Sequence, residues 1–381
     1  MTRYVIGRIG LGLVTLFVFV TGLFFLINAV VPGDFTSQFI MTAEQRSSFQ
    51  QQLGLDRSLW EQYLAWMGGV VSLDLGVSLT GIGVWEAIRS ALASTLLVLA
   101  MGLGLAFWAG GKLGRIAAWS RRRVMTGSIT LVAIVLLTAF PPALAFLLER
   151  GAINSLGRSF VSGMRNLDTA SWIEAGLNPD GLLWRVHLSL ALLGVGIWIV
   201  TTLARRLGKN ISVGWLTAAG MLGLIAVWSA FGWRLLLIDQ LGRVALITMA
   251  LAILTFGEIV LITRATMDDA VSEDFVTVAR AKGLPDRLVR DHHAARSALL
   301  PTLSRLVVAV PYLLTGLVIL ESVFGVWGLG TVIFDALRLQ DTPLVAGSLL
   351  VVGVMTVVLR VLLDIAQALL DPRIRLAEDR R

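Results

Sequence analysis

The 381-residue chain contains no cysteine, which excludes disulfide bridges and thiolate metal sites. Charged side chains are also scarce, because Asp, Glu, Lys and Arg make up 15% of the residues, against about 25% in soluble domains. Hydrophobic residues make up 56%, and the mean hydropathy is +0.81. The composition therefore predicts a polytopic membrane protein.

Motifs for nucleotide hydrolysis and for catalysis are also missing. The nearest approach to a G-x-x-x-x-G-K-[ST] loop is Gly111-Lys112. It is followed by Leu113, and Ala106 stands where the first glycine is required. No Ser/His/Asp set, paired-carboxylate site or zinc motif stands out. We therefore expect no enzymatic activity, no cofactor and no metal, and any energy for transport must come from a partner.

Eight apolar segments are long enough to cross about 30 Å of hydrocarbon, which takes roughly 20 helical residues. They lie near 9–31, 90–110, 124–148, 185–204, 213–231, 241–263, 304–324 and 345–370. The first follows Arg3 and Arg8 but is longer than the apolar region of a signal peptide and lacks a convincing cleavage site. It is therefore interpreted as a retained helix, and the fold class is predicted to be an all-α helix bundle.

The distribution of Lys and Arg predicts the orientation. With the N-terminus in the cytoplasm, one side collects twenty of these residues and the other ten. This places both termini and the segment 264–303 in the cytoplasm. The net charge of +7 therefore needs no nucleic acid partner, and the RRR cluster at 121–123 is interpreted as a topology signal rather than a lipid or nucleic-acid site.

The first external loop, 32–89, is predicted to be structured. Ser58-Leu-Trp-Glu61 is a capping box that starts a helix over about 59–71, and residues 42–54 predict a shorter helix before it. The apolar side of the 59–71 helix suits a membrane interface. Two compatible roles remain open: an interfacial helix that covers the bundle, or a contact surface for an extracytoplasmic partner.

The polar segment 264–303 lies between two apolar runs. Its pattern predicts a helix over 272–282, a sharp turn at Gly283, a second short helix over about 285–298, and an end at Pro301. A helix, a glycine turn and a second helix form a small knob projecting from the membrane. The alternative is a solvated amphipathic loop resting on lipid headgroups.

Several short sequences resemble one family. The run ARAKG at 279–283 and HHAARSALLP at 292–301 resemble the cytoplasmic coupling motif of ABC importer permeases, and more narrowly of the dipeptide/oligopeptide/nickel permease family. Further resemblances are LGLDRSLWEQYLAWMGG at 53–69, SLDLGVSL at 72–79, LESVFGVWGLG at 320–330, QDTPLVAG at 340–347 and LLDPRIR at 369–375. The resemblance is loose over 1–140 and close over 241–376.

This resemblance implies a type I permease fold and a membrane subunit of a binding-protein-dependent importer in the bacterial inner membrane. Its partners would be ABC ATPase subunits, a second similar permease, an extracytoplasmic substrate-binding protein and membrane lipid. The short helix after Gly283 would be the coupling helix, seated in a groove of the ATPase. Peptides are the substrate expected on frequency, and nickel chelates and some glycosylated compounds remain open.

The resemblance also suggests site residues. Those at or near the ATPase contact would be Ala279, Arg280, Ala281, Lys282, Gly283, Arg287, His293 and Pro301. Glu321 lies in the seventh segment, where a charge is costly, and is a candidate for the translocation path. A role in contacting a peptide amino terminus, or in pinning the loop by hydrogen bonds, stays open for it. For His293, which follows His292, an interface role is favoured over a metal role.

The sequence departs from the family at two places. Trp327 stands where the family usually has proline, so the turn geometry there is expected to differ. The stretch 149–240 is far longer than the family's link, and its two apolar segments are interpreted as an insertion of two peripheral helices into a six-helix core. The expected divisions are 1–31, 32–89, 90–148, 149–240, 241–376 with its coupling loop 264–303, and the cytoplasmic tail 377–381.

Two further pairs of charges are expected within the membrane helices. Glu258 is expected to pair with Arg264 near the cytoplasmic end of its span. Arg360 and Asp364 are four residues apart, so we expect them to neutralise each other on one helix face.

Three other functions remain to be weighed. An ion-coupled secondary transporter would need cation-binding groups at broken helices near the midplane, ideally in two related halves, and no such repeat is evident. A membrane enzyme would need a catalytic set. A scaffold subunit of a membrane complex would explain the polar segment but not the family-like external residues.

Overall fold

The computed structural model describes residues 2–30, 44, 56–120, 122–157, 172, 178–207 and 212–370. Thirteen α-helices and one π-helical segment make up the regular structure longer than one turn in this part of the chain. The helices are α1 Thr2–Val30, α2 Leu59–Ser72, α3 Val84–Trp119, α4 Arg123–Leu137, α5 Pro141–Leu156, α6 Pro179–Arg206, α7 Val213–Ala230, α8 Trp233–Val271, α9 Asp274–Ala281, α10 Asp286–Leu288, the π-helical segment Val289–Ala294, α11 Ala295–Phe324, α12 Leu329–Arg338 and α13 Thr342–Leu370. The predicted all-α polytopic fold is confirmed.

The membrane-crossing helices match the apolar segments found in the sequence. Five helices, α1, α3, α6, α8 and α13, are individually long and apolar enough to cross a membrane, and α7 is a shorter apolar helix. The remaining two segments are bent pairs: α4 and α5 meet at 106°, and the end of α11 meets α12 at 82°. The bend between α4 and α5 coincides with Pro141 and Pro142, and Pro at the start of a helix favours such a break because it has no N–H to donate.

Helices α3 and α8 form the most extensive helix pair, and small residues let them approach. A Cβ atom placed on Gly110 would lie 3.0 Å from Cγ2 of Ile259. One placed on Gly114 would lie 2.7 Å from Cβ of Thr263 and 2.8 Å from the carbonyl oxygen of Val260. A Gly-x-x-x-Gly spacing of this kind brings two backbones together, which is how helices gain dispersion energy in lipid.

The register of this contact shows that α3 and α8 run parallel. Gly102 faces Leu251, and further along both helices Gly110 faces Ile259 and Gly114 faces Thr263. The difference in residue number is the same for all three contacts. Parallel helices in a membrane must be separated by an odd number of crossings. The eight-segment prediction meets this requirement if the bent pair α4–α5, α6 and the shorter helix α7 each cross the membrane once.

Helix α4 packs antiparallel on α8. Gly257 of α8 lies directly against the backbone of Ala133 and Leu137. About two turns further along α8, Arg264 donates a hydrogen bond to the Thr130 hydroxyl. Arg264 also pairs with Asp268 at 3.5 Å. The expected Glu258–Arg264 pair is therefore wrong.

The partner of Glu258 is on another helix. Its carboxyl accepts a hydrogen bond from Nε of Arg305 at 2.9 Å. Asp364 likewise pairs with Arg8 of α1 at 3.2 Å rather than with Arg360, so that expectation is wrong as well. In both cases the expected partner was an arginine on the same helix, whereas the observed partner is an arginine on a helix that packs against it.

Helix α2 confirms the capping-box prediction. The Glu61 backbone N–H donates to the Ser58 hydroxyl, and the Ser58 N–H donates to the Glu61 carboxylate at 3.0 Å. These bonds with Ser58 hold the pKa of Glu61 below its usual range. Tyr63 is buried against α1, where its hydroxyl bonds to Thr21 at 2.8 Å. The helix thus covers the bundle, one of the two roles that the sequence left open. Of the helix expected over 42–54, only Glu44 belongs to the described residues.

Few side chains of α6 and α7, the helices of the expected insertion, are buried against the rest of the chain. Only 6% of the most apolar stretch of α6 is buried within the chain. Its buried end packs in a small cluster with Trp172 and Leu236, and the Trp184 indole donates to the carbonyl oxygen of Arg89 at 3.2 Å. Most of the α6 surface therefore faces away from the bundle.

The α3–α8 contact predicts opposite effects for two glycines on one helix. Gly114→Ala should lower stability by about 1–3 kcal/mol, because the added methyl group meets Thr263 and the Val260 backbone. Gly111→Ala should raise it by about 0.5–1 kcal/mol, because its Cβ meets nothing within 4 Å and Ala favours a helix. Thermal unfolding of the full-length protein in detergent measures both, and equal effects would contradict the contact.

Candidate functional site

The polar segment between the sixth and seventh apolar segments forms a compact helical knob. It consists of α9, a turn at Gly283, α10 and the π-helical segment Val289–Ala294. Its buried side chains pack on each other and on the ends of α3 and α8. The buried members are Met267, Ala270, Val276, Ala279, Val289 and Ala294, with Trp119 packed against them. The knob therefore has its own core, which stands on the two long parallel helices.

Gly283 makes the turn of the knob, as predicted. Its φ is +75°, in the left-handed region. Its N–H donates to the carbonyl oxygen of Arg280 at 2.9 Å, and the next N–H, of Leu284, donates to that of Ala279 at 3.4 Å. This pair of bonds is a Schellman motif, which satisfies carbonyls at a helix end and favours glycine at the left-handed position.

Two charges of the knob are engaged within the chain. The Arg280 guanidinium lies 4.7 Å from the centre of the Trp119 ring and pairs with Asp286 at 3.4 Å. Arg290 donates two hydrogen bonds to Asp291, at 2.8 and 2.6 Å. The bonds from Arg290 hold the pKa of Asp291 below its usual range, and Asp291 raises the pKa of Arg290 in turn. These arginines fix the shape of the knob.

The remaining surface of the knob combines apolar and basic side chains. Phe275, Val278 and Leu288 are exposed by 39%, 51% and 41%. We call these three residues the apolar patch of the knob. Seven of the eight residues predicted for the ATPase contact are also exposed, namely Arg280, Ala281, Lys282, Gly283, Arg287, His293 and Pro301. Ala279, predicted with them, is buried in the knob core.

The two histidines of the knob do not form part of a metal-binding cluster. Their rings lie 6.1 Å apart, and Nδ1 of His293 is 3.4 Å from the carbonyl oxygen of Leu288. Within the described ranges, no three His, Asp or Glu side chains come together as metal ligands would.

The segment after Gly283 differs from the sequence prediction. It was expected to be a separate short helix that ends at Pro301. Instead the backbone stays helical from Asp286 through the π-helical segment into α11, and Pro301 lies inside α11. A proline within a helix loses one hydrogen bond, and membrane helices tolerate this loss. The only helix of the knob that is bounded at both ends is α9.

A second site surrounds Glu321 near the far end of α11. Its side chain is 0% exposed. One carboxyl oxygen, Oε2, accepts hydrogen bonds from the N–H groups of Gly330 at 2.7 Å and Thr331 at 3.1 Å. The other accepts from the Thr95 hydroxyl of α3 at 2.7 Å, and that hydroxyl accepts from the Leu329 N–H at 2.8 Å. Glu321 and Thr95 together satisfy the first three N–H groups of α12.

The glycines of the motif LESVFGVWGLG make room for this carboxyl group. A Cβ on Gly330 would lie 2.8 Å from Oε2 of Glu321, and one on Gly328 would overlap the same carboxyl. Gly325 has a φ of +60° and ends α11 in a second Schellman turn. Trp327, where the family usually has proline, donates from its indole to the Ser90 hydroxyl at 3.1 Å. The turn is thus tied to α3 at two places.

Three roles were left open for Glu321. Its hydrogen bonds to the start of α12 and to Thr95 correspond to one of them, which is to hold the turn in place. Every polar contact given above lies within the chain. The role of Glu321 in a translocation path stays a prediction.

A second buried carboxyl group was missed by the sequence analysis. Asp341 is 0% exposed and accepts from the Leu79 N–H at 2.9 Å, from the Leu344 N–H at 3.1 Å and from the Ser78 hydroxyl. It caps α13 and holds the turn between α2 and α3 against it. The sequence Asp341-Thr-Pro, with proline near the start of a helix, was a local signal for this cap.

Comparison with known proteins gives consistent matches over nearly the whole chain. Residues 113–376 match the family described as "Binding-protein-dependent transport system inner membrane component", and residues 1–86 match the model of the N-terminal part of such components. A putative peptide permease protein of Brucella suis is 28% identical over 382 residues, covering 98% of this chain and 99% of its own length.

Two further relatives are named for their cargo. The dipeptide transport system permease protein DppB of Escherichia coli K12 is 27% identical over 382 residues, covering 98% of this chain and 99% of its own. The di/tripeptide transport system permease protein DppB of Pseudomonas aeruginosa is 28% identical over 393 residues, with the same coverage.

The contacts of Glu321 predict a structural cost when its charge is removed. In Glu321→Gln one acceptor oxygen becomes an NH₂ group that faces other donors, so we expect stability to fall by about 1–3 kcal/mol. Glu258→Gln is the matched control, because its carboxyl pairs with the more exposed Arg305, and we expect a loss below about 1 kcal/mol. Thermal unfolding of the full-length variants tests this, and equal losses would show that Glu321 does not hold the turn.

Proposed function

The chain belongs to the family of binding-protein-dependent inner membrane components, as an ABC importer permease of the dipeptide/oligopeptide group, and on that premise we propose that it forms half of the translocation path of an ATP-driven peptide importer. A second, similar permease subunit supplies the other half. A separate extracytoplasmic binding protein delivers the substrate, and the family's transport role supports a subunit that is not itself an enzyme.

The observation that carries this proposal is the knob. A polar element with its own core projects from the ends of two membrane helices and has an exposed apolar patch. Since the sequence contains no nucleotide-binding loop, the force for transport must come from a separate ATPase. The knob is the element best suited to receive this force from the ATPase, because its core packs on the ends of α3 and α8.

We propose that the ATPase contact is centred on α9 and the Gly283 turn. The apolar patch supplies the buried centre of the contact, and Lys282, Arg287 and His293 supply polar contacts around it. The proposal therefore identifies α9, which precedes Gly283, as the coupling helix, whereas the sequence resemblance implied the segment after Gly283. The reason is that α9 has two free ends, whereas the later segment continues into α11. Ala279 supports the contact from the knob core, and the exposed Arg280 supports it through Trp119 and Asp286.

Pro301, the last predicted coupling residue, acts in this proposal through the helix that it interrupts. It lies in the second turn of α11, beyond the end of the knob. Its missing N–H weakens one turn of the connection between the knob and the membrane, and a bend at that turn accommodates movement of the knob.

The orientation follows from the charge distribution. The N-terminus, the C-terminus, the tail 377–381 and the knob lie in the cytoplasm of a bacterial inner membrane. The α2 helix and the turn that Asp341 holds then lie outside, where a binding protein docks. The stretch 149–240 is an insertion into a six-helix core, and its helices α6 and α7 lie at the periphery.

Peptide is proposed as the substrate class because relatives that align over their full length carry dipeptide or di/tripeptide transport in their names. Selection among peptides belongs largely to the binding protein. The experiment is uptake of labelled peptides by cells with and without this chain and its partners. Uptake that persists after ATP depletion but stops when the proton gradient is dissipated would contradict the ATP-driven mechanism.

The Gly283 turn predicts a sharp contrast between two substitutions. Gly283→Val should abolish co-purification with the ATPase, because a β-branched residue is strained at a φ of +75° by about 1–3 kcal/mol. Gly283→Asn should retain it, because Asn tolerates the left-handed region. No atom lies within 4 Å of a Cβ at this position, so backbone strain alone separates the two variants.

Val278→Glu tests the surface without straining the backbone. It places a charge in the apolar patch, so the ATPase should dissociate while the thermal unfolding of the permease alone stays unchanged. Normal association of both Val278→Glu and Gly283→Val would place the ATPase contact elsewhere.

The proposed topology predicts the labelling of single cysteines, which the natural absence of cysteine makes possible. A membrane-impermeant maleimide should label Arg57→Cys in intact spheroplasts, because this loop is external. It should label Lys209→Cys only after lysis. Labelling of Lys209→Cys in intact spheroplasts would overturn the eight-span arrangement.

A further inference from the structure

An open groove of about 480 Å³ lies between α4, the turn before it and α8. Its lining residues are Ser120, Arg123, Thr126, Gly127, Thr130, Leu131, Ile134 and Arg264. This volume is within the range of small-molecule sites, about 300–1,000 Å³. The groove is not part of the proposed ATPase contact or of the Glu321 site.

The lining of the groove is cationic. Among its described lining residues are two arginines from different helices and no carboxylate. Arg264 is held in place by its hydrogen bond to Thr130, and its guanidinium has further N–H donors beyond those used by this bond and by Asp268. Asp268 lies 3.5 Å from Nε of Arg264 and is half exposed, so it offsets that charge only in part. The groove therefore attracts an anion.

The groove also has apolar lining residues, which follow Thr130 along α4. Leu131 and Ile134 are exposed by 64% and 45%, and Val135 beyond them by 57%. From Arg123 to Ile134 the axis of α4 covers about 17 Å at 1.5 Å per residue. A free phosphate would match only the two arginines, whereas a phospholipid has both an anionic phosphate and acyl chains and so matches both kinds of lining residue.

The groove also lies at the depth of lipid headgroups. Arg264 directly follows the apolar run 241–263 and is one turn before Met267 of the knob core, so we infer that the groove opens where α8 leaves the membrane. Basic pockets between membrane helices at this depth bind anionic headgroups.

We propose that this groove binds one anionic phospholipid, with Arg123 and Arg264 on its phosphate and an acyl chain along Leu131 and Ile134. For Arg123 this adds a ligand to the topology role that the RRR cluster was given from the sequence. Because Arg264 belongs to α8, the lipid is in contact with a helix that supports the knob. The proposal does not depend on the transported substrate or on the ATPase.

Native mass spectrometry of the full-length protein, delipidated in detergent and titrated with phosphatidylglycerol, tests the site. Phosphatidylglycerol should bind more tightly than phosphatidylcholine. Arg123→Gln and Arg264→Gln should each weaken it about fivefold, the effect of one arginine near an anionic lipid. Arg122→Gln is the matched control, because Arg122 is adjacent and exposed but does not line the groove, and it should leave binding unchanged.

A steric variant tests the same site without changing its charge. Gly127→Leu should block phosphatidylglycerol, because its Cβ meets nothing within 4 Å in the protein and its side chain fills the groove. Gly194→Leu, on the exposed side of α6, is the control and should bind normally. If Arg264→Gln fails to fold, this pair of variants decides the question.

Three results would overturn the proposal. Equal binding of phosphatidylglycerol and phosphatidylcholine would remove the role of charge. An equal loss in Arg122→Gln and Arg123→Gln would indicate diffuse surface charge rather than a site. Displacement of phosphatidylglycerol by equimolar inorganic phosphate would indicate a site for a soluble anion.

Discussion

The close contact between α3 and α8 is the constraint on which the rest of the structure depends. Glycines along α3 let its backbone approach α8 until side chains and carbonyl groups touch, and the approach fixes one register over several turns. In lipid, where apolar burial gives no net driving force, such packing is a main source of association energy. Both helices are long enough to leave the membrane, so the knob rests on a pair whose relative position is already fixed.

The buried carboxyl groups of Glu321 and Asp341 meet a related need at the other end of the molecule. A turn inside or beside a membrane leaves backbone N–H groups without partners, and each is costly in an apolar environment. Glu321 and Thr95 satisfy these groups at the start of α12, and Asp341 does so at the start of α13. Because each carboxyl also bonds to another part of the chain, the same bonds that satisfy the turns join them to the bundle.

Local signals made some features predictable from the sequence. The Ser58 capping box and the Gly283 turn depend on a few adjacent residues, and both were predicted correctly. The pairs of Glu258 and Asp364 depend on which helices meet, and the sequence offered only same-helix neighbours. The continuation of the helix past Pro301 could not be foreseen either, because packing of the knob on α3 and α8 outweighs the lost hydrogen bond.

The unbroken helical path from Asp286 to Phe324 has a mechanical consequence. It is about 58 Å long at 1.5 Å per residue, and it joins the knob to the Glu321 turn without an intervening loop. A loop would let the two ends move independently, but a rod transmits displacement unless it bends. Three features of its backbone weaken the regular hydrogen bonding of this rod: the π-helical segment and the two prolines of α11, Pro301 and Pro311. The stiffness of those three places decides how much of a push at one membrane surface arrives at the other.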